Sequence, residues 1–302
     1  MKIFTVFTGG TISCSSEGGA LSPDGKNGYR LLEAARQAGL KAEFETAQPY
    51  TVLSENLSAE DLRALRACVE DAIDRGFKKI IVTHGTDTLQ YTAAYLDYVL
   101  GAGDLTVVLV SANYPLADAR SNGIANFLAA ASLLQTDETG VFVAYRNTGD
   151  GFAAIHRGRE VMPHKPYDDS LESFSGEPFG FVRDGAFEKN PAYEEGERED
   201  LSGCELSDRV VFLRAYVGMT FPEVPSDTKA VLLEGYHSGT LPTSSSALRA
   251  FCGQLEKKGV PVFLTGCAEG FNYASKRDYE SLKINVLPPS PPTAAYMRLW
   301  LL

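Results

Sequence analysis

Two stretches of this chain end a buried-type strand on glycine and threonine, and they limit the fold more than any other feature. The first is Thr8-Gly9-Gly10-Thr11-Ile12, after the apolar and β-branched run Lys2 to Phe7. The second is His84-Gly85-Thr86-Asp87-Thr88, after Ile80-Ile81-Val82-Thr83. Such runs, bounded by glycine, read as buried strands. Glycine at a strand end lets the backbone turn sharply and lie close to a ligand. In an open α/β sheet this carboxyl edge is where the chemistry sits. Taken alone, the first stretch fits a plain Gly-Gly hairpin turn equally well. The second repeats the order strand, glycine, threonine and runs into helical spacing at Ala93, Ala94, Leu96 and Leu100. Two such ends converge on one crevice if their strands are neighbours.

The rest of the first half alternates strand and helix. Residues 29–38 read as a helix and 41–45 as a strand. Ser58 caps a helix that runs to about Arg75, with Leu62, Leu65, Val69 and Ile73 on one face. Strands follow at 79–83, 105–110 and 141–145, with a helix at 122–134 that reads as structural. This alternation predicts a mostly parallel sheet covered on both faces. After Gly151 the pattern changes: 152–155 and 159–162 read as a hairpin around His156-Arg157-Gly158. Residues 188–208 hold many acids and little apolar surface, which reads as a linker. Strands at 209–214, 230–233, 260–264 and 284–287, with helices at 244–257 and 292–301, complete a smaller unit. The expected fold is therefore α/β: a larger N-terminal domain over 1–187 with a mostly parallel sheet, an acidic linker over 188–208, and a smaller C-terminal α/β domain over 209–302.

Charge and composition exclude several classes. A net charge of −11 repels phosphate backbones, so nucleic acid is not an expected partner. Five cysteines at wide spacings, without CxxC, suggest neither a disulfide framework nor zinc. Four histidines show no ligand spacing, so no metal and no cofactor is expected. No signal-peptide layout and no apolar run of membrane-spanning length is found, which predicts a cytoplasmic protein. A nucleotide-binding reading of Gly9-Gly10 lacks both GxGxxG and GxxxxGK[ST].

The paired signatures Thr8-Gly9-Gly10-Thr11-Ile12 and His84-Gly85-Thr86-Asp87-Thr88 resemble those of the bacterial-type L-asparaginase family, and the resemblance runs over most of the chain. It implies a hydrolase in which Thr11 attacks the side-chain amide of L-asparagine, forms an acyl-enzyme and releases ammonia. Water then yields L-aspartate. A threonine hydroxyl is a poor nucleophile without a base. Thr86 would supply a second hydroxyl beside the Asp87 carboxylate. Lys165 matches the family's lysine, which can serve as base if burial lowers its pKa. Asp87 also matches the acid that binds the substrate ammonium, and Ser54 the serine that binds its α-carboxylate. Gly10 would lie against the substrate, and backbone N–H groups at the strand ends, Thr86 among them, would hold the oxyanion. The His84 ring is expected to orient its loop, not to act as base. The glycine-rich segment Ser13 to Gly28 reads as a lid or a surface hairpin. Tyr29 closes that segment, either swinging in as a catalytic group or packing at a helix start.

Two departures from the family pattern bear on the site. Glu55 stands where well-known members carry glutamine, and no glutamate in 266–278 aligns with the one those enzymes borrow from a neighbouring subunit. Glu55 is therefore expected to provide the second carboxylate around the substrate ammonium. The family implies a homodimer or homotetramer. Three alternatives stay open: a broader asparagine/glutamine amidohydrolase, a catalytically weak amino-acid-binding homologue, and the related amidotransferase subunit that charges tRNA with glutamine. The last usually carries an extra N-terminal domain, and the acidic charge opposes tRNA.

Overall fold

A computed structural model describes residues 1–10, 12, 14–17, 20–23, 27–266 and 273–302; for 14–17, 20–23, 27 and 28 the description covers the backbone alone. The chain divides into two compact units, Met1–Cys204 and Glu205–Leu302.

The first unit runs β1 (Lys2–Phe7), β2 (Cys14–Glu17), β3 (Ala20–Pro23), α1 (Asn27–Gln37), β4 (Glu43–Ala47), α2 (Ala59–Asp74), β5 (Lys79–Thr83), α3 (Leu89–Leu100) and β6 (Thr106–Val110). It continues with α4 (Gly123–Leu133), β7 (Gly140–Tyr145), β8 (Ala153–Arg157), β9 (Gly180–Arg183) and β10 (Ala186–Lys189). Eight of these strands form one sheet in the order β10-β9-β8-β7-β6-β5-β1-β4. The strands from β4 to β7 pair in parallel, and β8 to β10 extend the sheet antiparallel. β2 and β3 make a separate antiparallel pair over the segment read as a lid or hairpin. The pleat sorts the core: Ile3, Ile81, Val108 and Phe142 join one buried cluster with Leu31 of α1 and Phe127 of α4.

Local signals account for the helices. Ser58 and Asp61 close a reciprocal capping box that satisfies two orphan amides at the start of α2. Gly259, in the left-handed conformation, ends a helix of the second unit. That unit holds β11 (Val210–Arg214), β12 (Ala230–Glu234), α5 (Ser246–Lys258), β13 (Val262–Thr265), α6 (Ala274–Ser281), β14 (Ile284–Val286) and α7 (Pro292–Leu301). Its four strands pair in parallel in sequence order. Leu248, Phe251 and Leu255 of α5 cover one face of this sheet, and Ala295 and Leu299 of α7 the other.

Two expectations need correction. The hairpin read over 152–162 is instead the antiparallel pairing of β8 with β7, while Gly158–Glu160 forms a short 3-10 helix. The acidic stretch after 188 is not a free linker up to Cys204. Its first residues lie in β10, Leu201 donates its backbone N–H to Tyr98, and Arg66 donates to the carbonyls of Ser202 and Cys204. The reason lies under it. Arg157 is 1% exposed, with its guanidinium over the Phe142 and Phe179 rings at 4.3 and 4.7 Å. A buried cation needs a counter-charge, and Glu195 supplies it at 2.6 Å while Asp97 adds a second nearby carboxylate. Arg198 braces Glu195 and reaches the Gly101 carbonyl. The acids thus include a clasp that solvent-facing composition conceals.

Removing the cation takes one charged hydrogen bond from Glu195 and one nearby positive charge from Asp97, which keep Arg198 and Arg159. Arg157→Met is expected to lower stability by about 2 kcal/mol, read as a shift in the urea unfolding midpoint.

Candidate active site

The site begins with the pairing of β1 on β5, in register from Phe4 against Ile80 to Phe7 against Thr83. Beyond it the buried Thr8 hydroxyl donates to the Thr83 carbonyl at 2.6 Å. Gly9 bridges to Val52, and Gly10 donates its N–H to the Val52 carbonyl at 3.0 Å. Both glycines have positive φ, +104° and +75°. A side chain at Gly10 would run into the backbone of Gly85, and one at Gly85 into the Ser54 hydroxyl. Two strand ends and the 50s loop therefore meet backbone to backbone, which only glycine permits.

Ser54 opens a short 3-10 helix and is 5% exposed. Its hydroxyl donates to Asp87 Oδ2 at 3.4 Å, and its carbonyl accepts from the Thr88 hydroxyl at 2.9 Å. Thr86 is half-buried beside the exposed Asp87, and Glu55 is exposed next to Ser54. His84 lies beneath them. Its Nδ1 faces the Gly85 carbonyl at 2.8 Å and must carry the proton, so Nε2 accepts from the Thr92 hydroxyl at 2.8 Å. Burial pushes its pKa down to about 4, leaving a neutral ring that braces the turn.

The structure brings Gly10, Ser54, Glu55, Thr86 and Asp87 to the carboxyl edge of β1 and β5. Thr11 lies outside the described residues, as do 13, 18, 19 and 24–26 of the segment read as a lid or hairpin. Tyr29 is on α1 with its side chain 65% exposed, and no hydrogen bond among the described residues ties it to Ser54 or Asp87.

Lys165 does not meet the requirement the sequence set for it. Its side chain is 62% exposed and pairs with Glu172 at 3.0 Å. That hydrogen bond raises its pKa, the opposite of what a lysine base needs. The cause is the local loop. Met162 bonds to Glu172 and Phe174 to Glu160 through the backbone, so 160–174 doubles back and carries Lys165 to its outer turn.

The residue before it faces the other way. Both His164 ring nitrogens are shielded from solvent, and the Ser170 backbone lies close enough to the ring to favour its protonated form. The ring stands edge-on to Tyr145 at 5.4 Å and lies within electrostatic reach of Asp87, Asp169 and Asp168. Asp169 accepts from the Tyr145 hydroxyl at 2.5 Å, from Asn113 at 2.7 Å and from Thr148 at 2.8 Å. These donors follow β6 or end β7, on the same sheet edge as Asp87. Asn122 and Asn126, at the start of α4, bond to Asn113, Arg146 and Ser111 and so pin these strand ends. Asn113, Tyr145 and Thr148 could have been nominated by taking every residue just beyond a parallel strand. Nothing local marks His164 or Asp169.

A parallel sheet whose glycine-lined carboxyl edge carries hydroxyls and carboxylates defines an open α/β protein, a class in which ligands bind outside the carboxyl ends of the strands. The N-terminal asparaginase domain matches residues 2–192, and the chain belongs to the asparaginase family. It is 29% identical to an L-asparaginase of Thermococcus kodakarensis over 80% of this chain and 73% of that one. Two further relatives are D-type subunits of glutamyl-tRNA(Gln) amidotransferases. The one from Methanosarcina barkeri is 32% identical over 60% of this chain, and the one from Haloquadratum walsbyi 27% identical over 88%. The chain spans 43% and 62% of the length of these two relatives. In fold it is similar to the thermostable L-asparaginase from Thermococcus kodakarensis, with a TM-score of 0.79 at 23% identity over 100% of this chain and 92% of that one. A probable cytoplasmic L-asparaginase from Campylobacter jejuni gives the same score at 22% identity, over 99% of this chain and 94% of that one.

The buried neutral His84 sets a pH dependence. Below its ordinary value of 6.5 the unfolded chain takes up a proton that the folded chain refuses until about pH 4. Stability therefore falls as pH drops through this window. Between pH 7 and pH 5 the loss from His84 is about 2 kcal/mol. Urea unfolding at both pH values measures it, and His84→Gln should show a shallower slope.

Proposed function

We propose that this chain hydrolyses the side-chain amide of L-asparagine to L-aspartate and ammonia through a threonine acyl-enzyme. The observation that carries the reading is the packing of Gly10 on Gly85 beside the Ser54–Asp87 pair. An edge of backbone with a carboxylate beside a hydroxyl suits a small zwitterion. In this reading Asp87 holds the substrate ammonium, Glu55 adds a second carboxylate, and Ser54 binds the α-carboxylate. Thr11 is the nucleophile, Thr86 the second hydroxyl, and backbone N–H groups hold the oxyanion. Tyr29, exposed on α1, would be a further catalytic group. The protein works in the cytoplasm as a homodimer or homotetramer, without metal or cofactor.

A second reading is favoured by the amidotransferase relatives, which match this chain at identities like that of the asparaginase. There the same site would release ammonia for a partner protein. A purified chain separates the two. Ammonia release is measured with L-asparagine, L-glutamine and D-asparagine. Turnover of asparagine by the chain alone supports the hydrolase; turnover only on addition of a partner supports the transferase. Thr11→Ala and Thr86→Val are each expected to lower kcat/KM by about 10³-fold. Glu55→Gln is expected to raise KM with kcat nearly unchanged, and an unaltered KM removes Glu55 from the site.

A further inference from the structure

We propose that Thr88 is a positioning residue that sets the affinity of this site for its substrate, an inference that rests on the amidohydrolase reading. Its hydroxyl donates to the Ser54 carbonyl at 2.9 Å. That bond joins the 50s loop, which carries Ser54, to the start of α3, next to Asp87.

The place of Thr88 in the chain makes the bond informative. Thr88 is the last residue of the second signature and the N-cap of α3. A threonine at an N-cap ordinarily accepts from one of the first amides of its helix. This side chain makes no such bond and reaches a residue 34 positions earlier. Its carbonyl still starts the helix, accepting from the amides of Tyr91 and Thr92. Every residue of α3 except Tyr91 is buried, so the hydroxyl is mounted on the core and not on a second loop.

The other ties of Ser54 leave this one a task. The Ser54 hydroxyl lies 3.4 Å from Asp87 Oδ2, long for a hydrogen bond between oxygens. The Ser54 carbonyl also accepts from Leu57 at 3.1 Å, but that bond lies within the loop and does not fix it against the sheet. Val52 ties the loop to the end of β1 through Gly10 and Thr8. Thr88 ties it to the end of β5. An amino-acid zwitterion carries its ammonium and carboxylate on one carbon, so the groups that receive them must keep a fixed spacing. Asp87 precedes Thr88 in the chain, and Ser54 is the residue that Thr88 holds. One hydroxyl thus sets the distance between the two halves of the proposed substrate site. The bond is the same before and during the reaction, so its loss belongs in KM and not in kcat.

The test measures ammonia release from L-asparagine and calorimetric binding of L-aspartate, with thermal midpoints as a check on folding. Thr88→Val is expected to raise KM and the aspartate Kd by about tenfold, with kcat within about threefold. Thr88→Ser, which keeps the donor, should restore both to within about twofold. In a Ser54→Ala background Thr88→Val should raise KM by less than about threefold, because the side chain it positions is gone. An unchanged KM and Kd in Thr88→Val overturns the inference, as does an equal rise in both backgrounds; a lowered midpoint with KM and Kd intact assigns Thr88 to the helix alone. If Thr88→Val does not fold, Thr88→Gly replaces it, since glycine is well tolerated at an N-cap and also lacks the hydroxyl. No ammonia from wild type with any amide overturns the hydrolase reading; aspartate binding then decides the role of Thr88 by itself, and wild type that binds no aspartate overturns that role too.

Discussion

The approach of two backbones at Gly10 and Gly85 is the constraint on which the site depends. It requires β1 and β5 to be neighbours, in parallel, and in the register that sets Phe7 against Thr83. The Thr8 hydroxyl locks that register by bonding to the Thr83 carbonyl from just beyond the end of β1. A slip of one residue would exchange the two faces of β1 and take Ile3 and Phe7 out of their core. Core packing and site assembly are thus one requirement. The hydrophobic faces choose the register, and the register brings the glycines together.

A second layer of polar bonds holds the outer strand ends. Asn122 and Asn126 bind backbone groups beyond β6 and β7, and Asp169 gathers Asn113, Tyr145 and Thr148. These bonds fix loops that no hydrophobic pattern would fix. They turn a set of independent strand exits into one rim. His84 does the same below Gly85, as a neutral ring holding a carbonyl with one nitrogen and a hydroxyl with the other.

Much of this was legible in the sequence. The strand at Lys79–Thr83, the capping box at Ser58, and the glycine turns after Phe7 and Thr83 follow from short-range rules. The family followed from two motifs about 75 residues apart. What failed was long-range. The side chain of Lys165 points outward because the 160–174 loop doubles back, and that turn is set by backbone pairing with residues such as Glu172, not by the lysine's neighbours. The acids after 188 looked like solvated linker because composition does not reveal a buried Arg157 that needs a counter-charge. The antiparallel partner of β8 was misread because a short apolar run does not name the strand it will join.

The borders of the first sheet carry a consequence of their own. One border is β4, whose Glu43 and Glu45 are exposed, and the other is β10, with exposed Glu188 and Lys189. Charged borders discourage a further strand from docking. Copies of this chain that gathered into a larger particle would not fuse these sheets into a continuous ribbon. They would have to join through helices and loops, leaving each ribbon closed at eight strands.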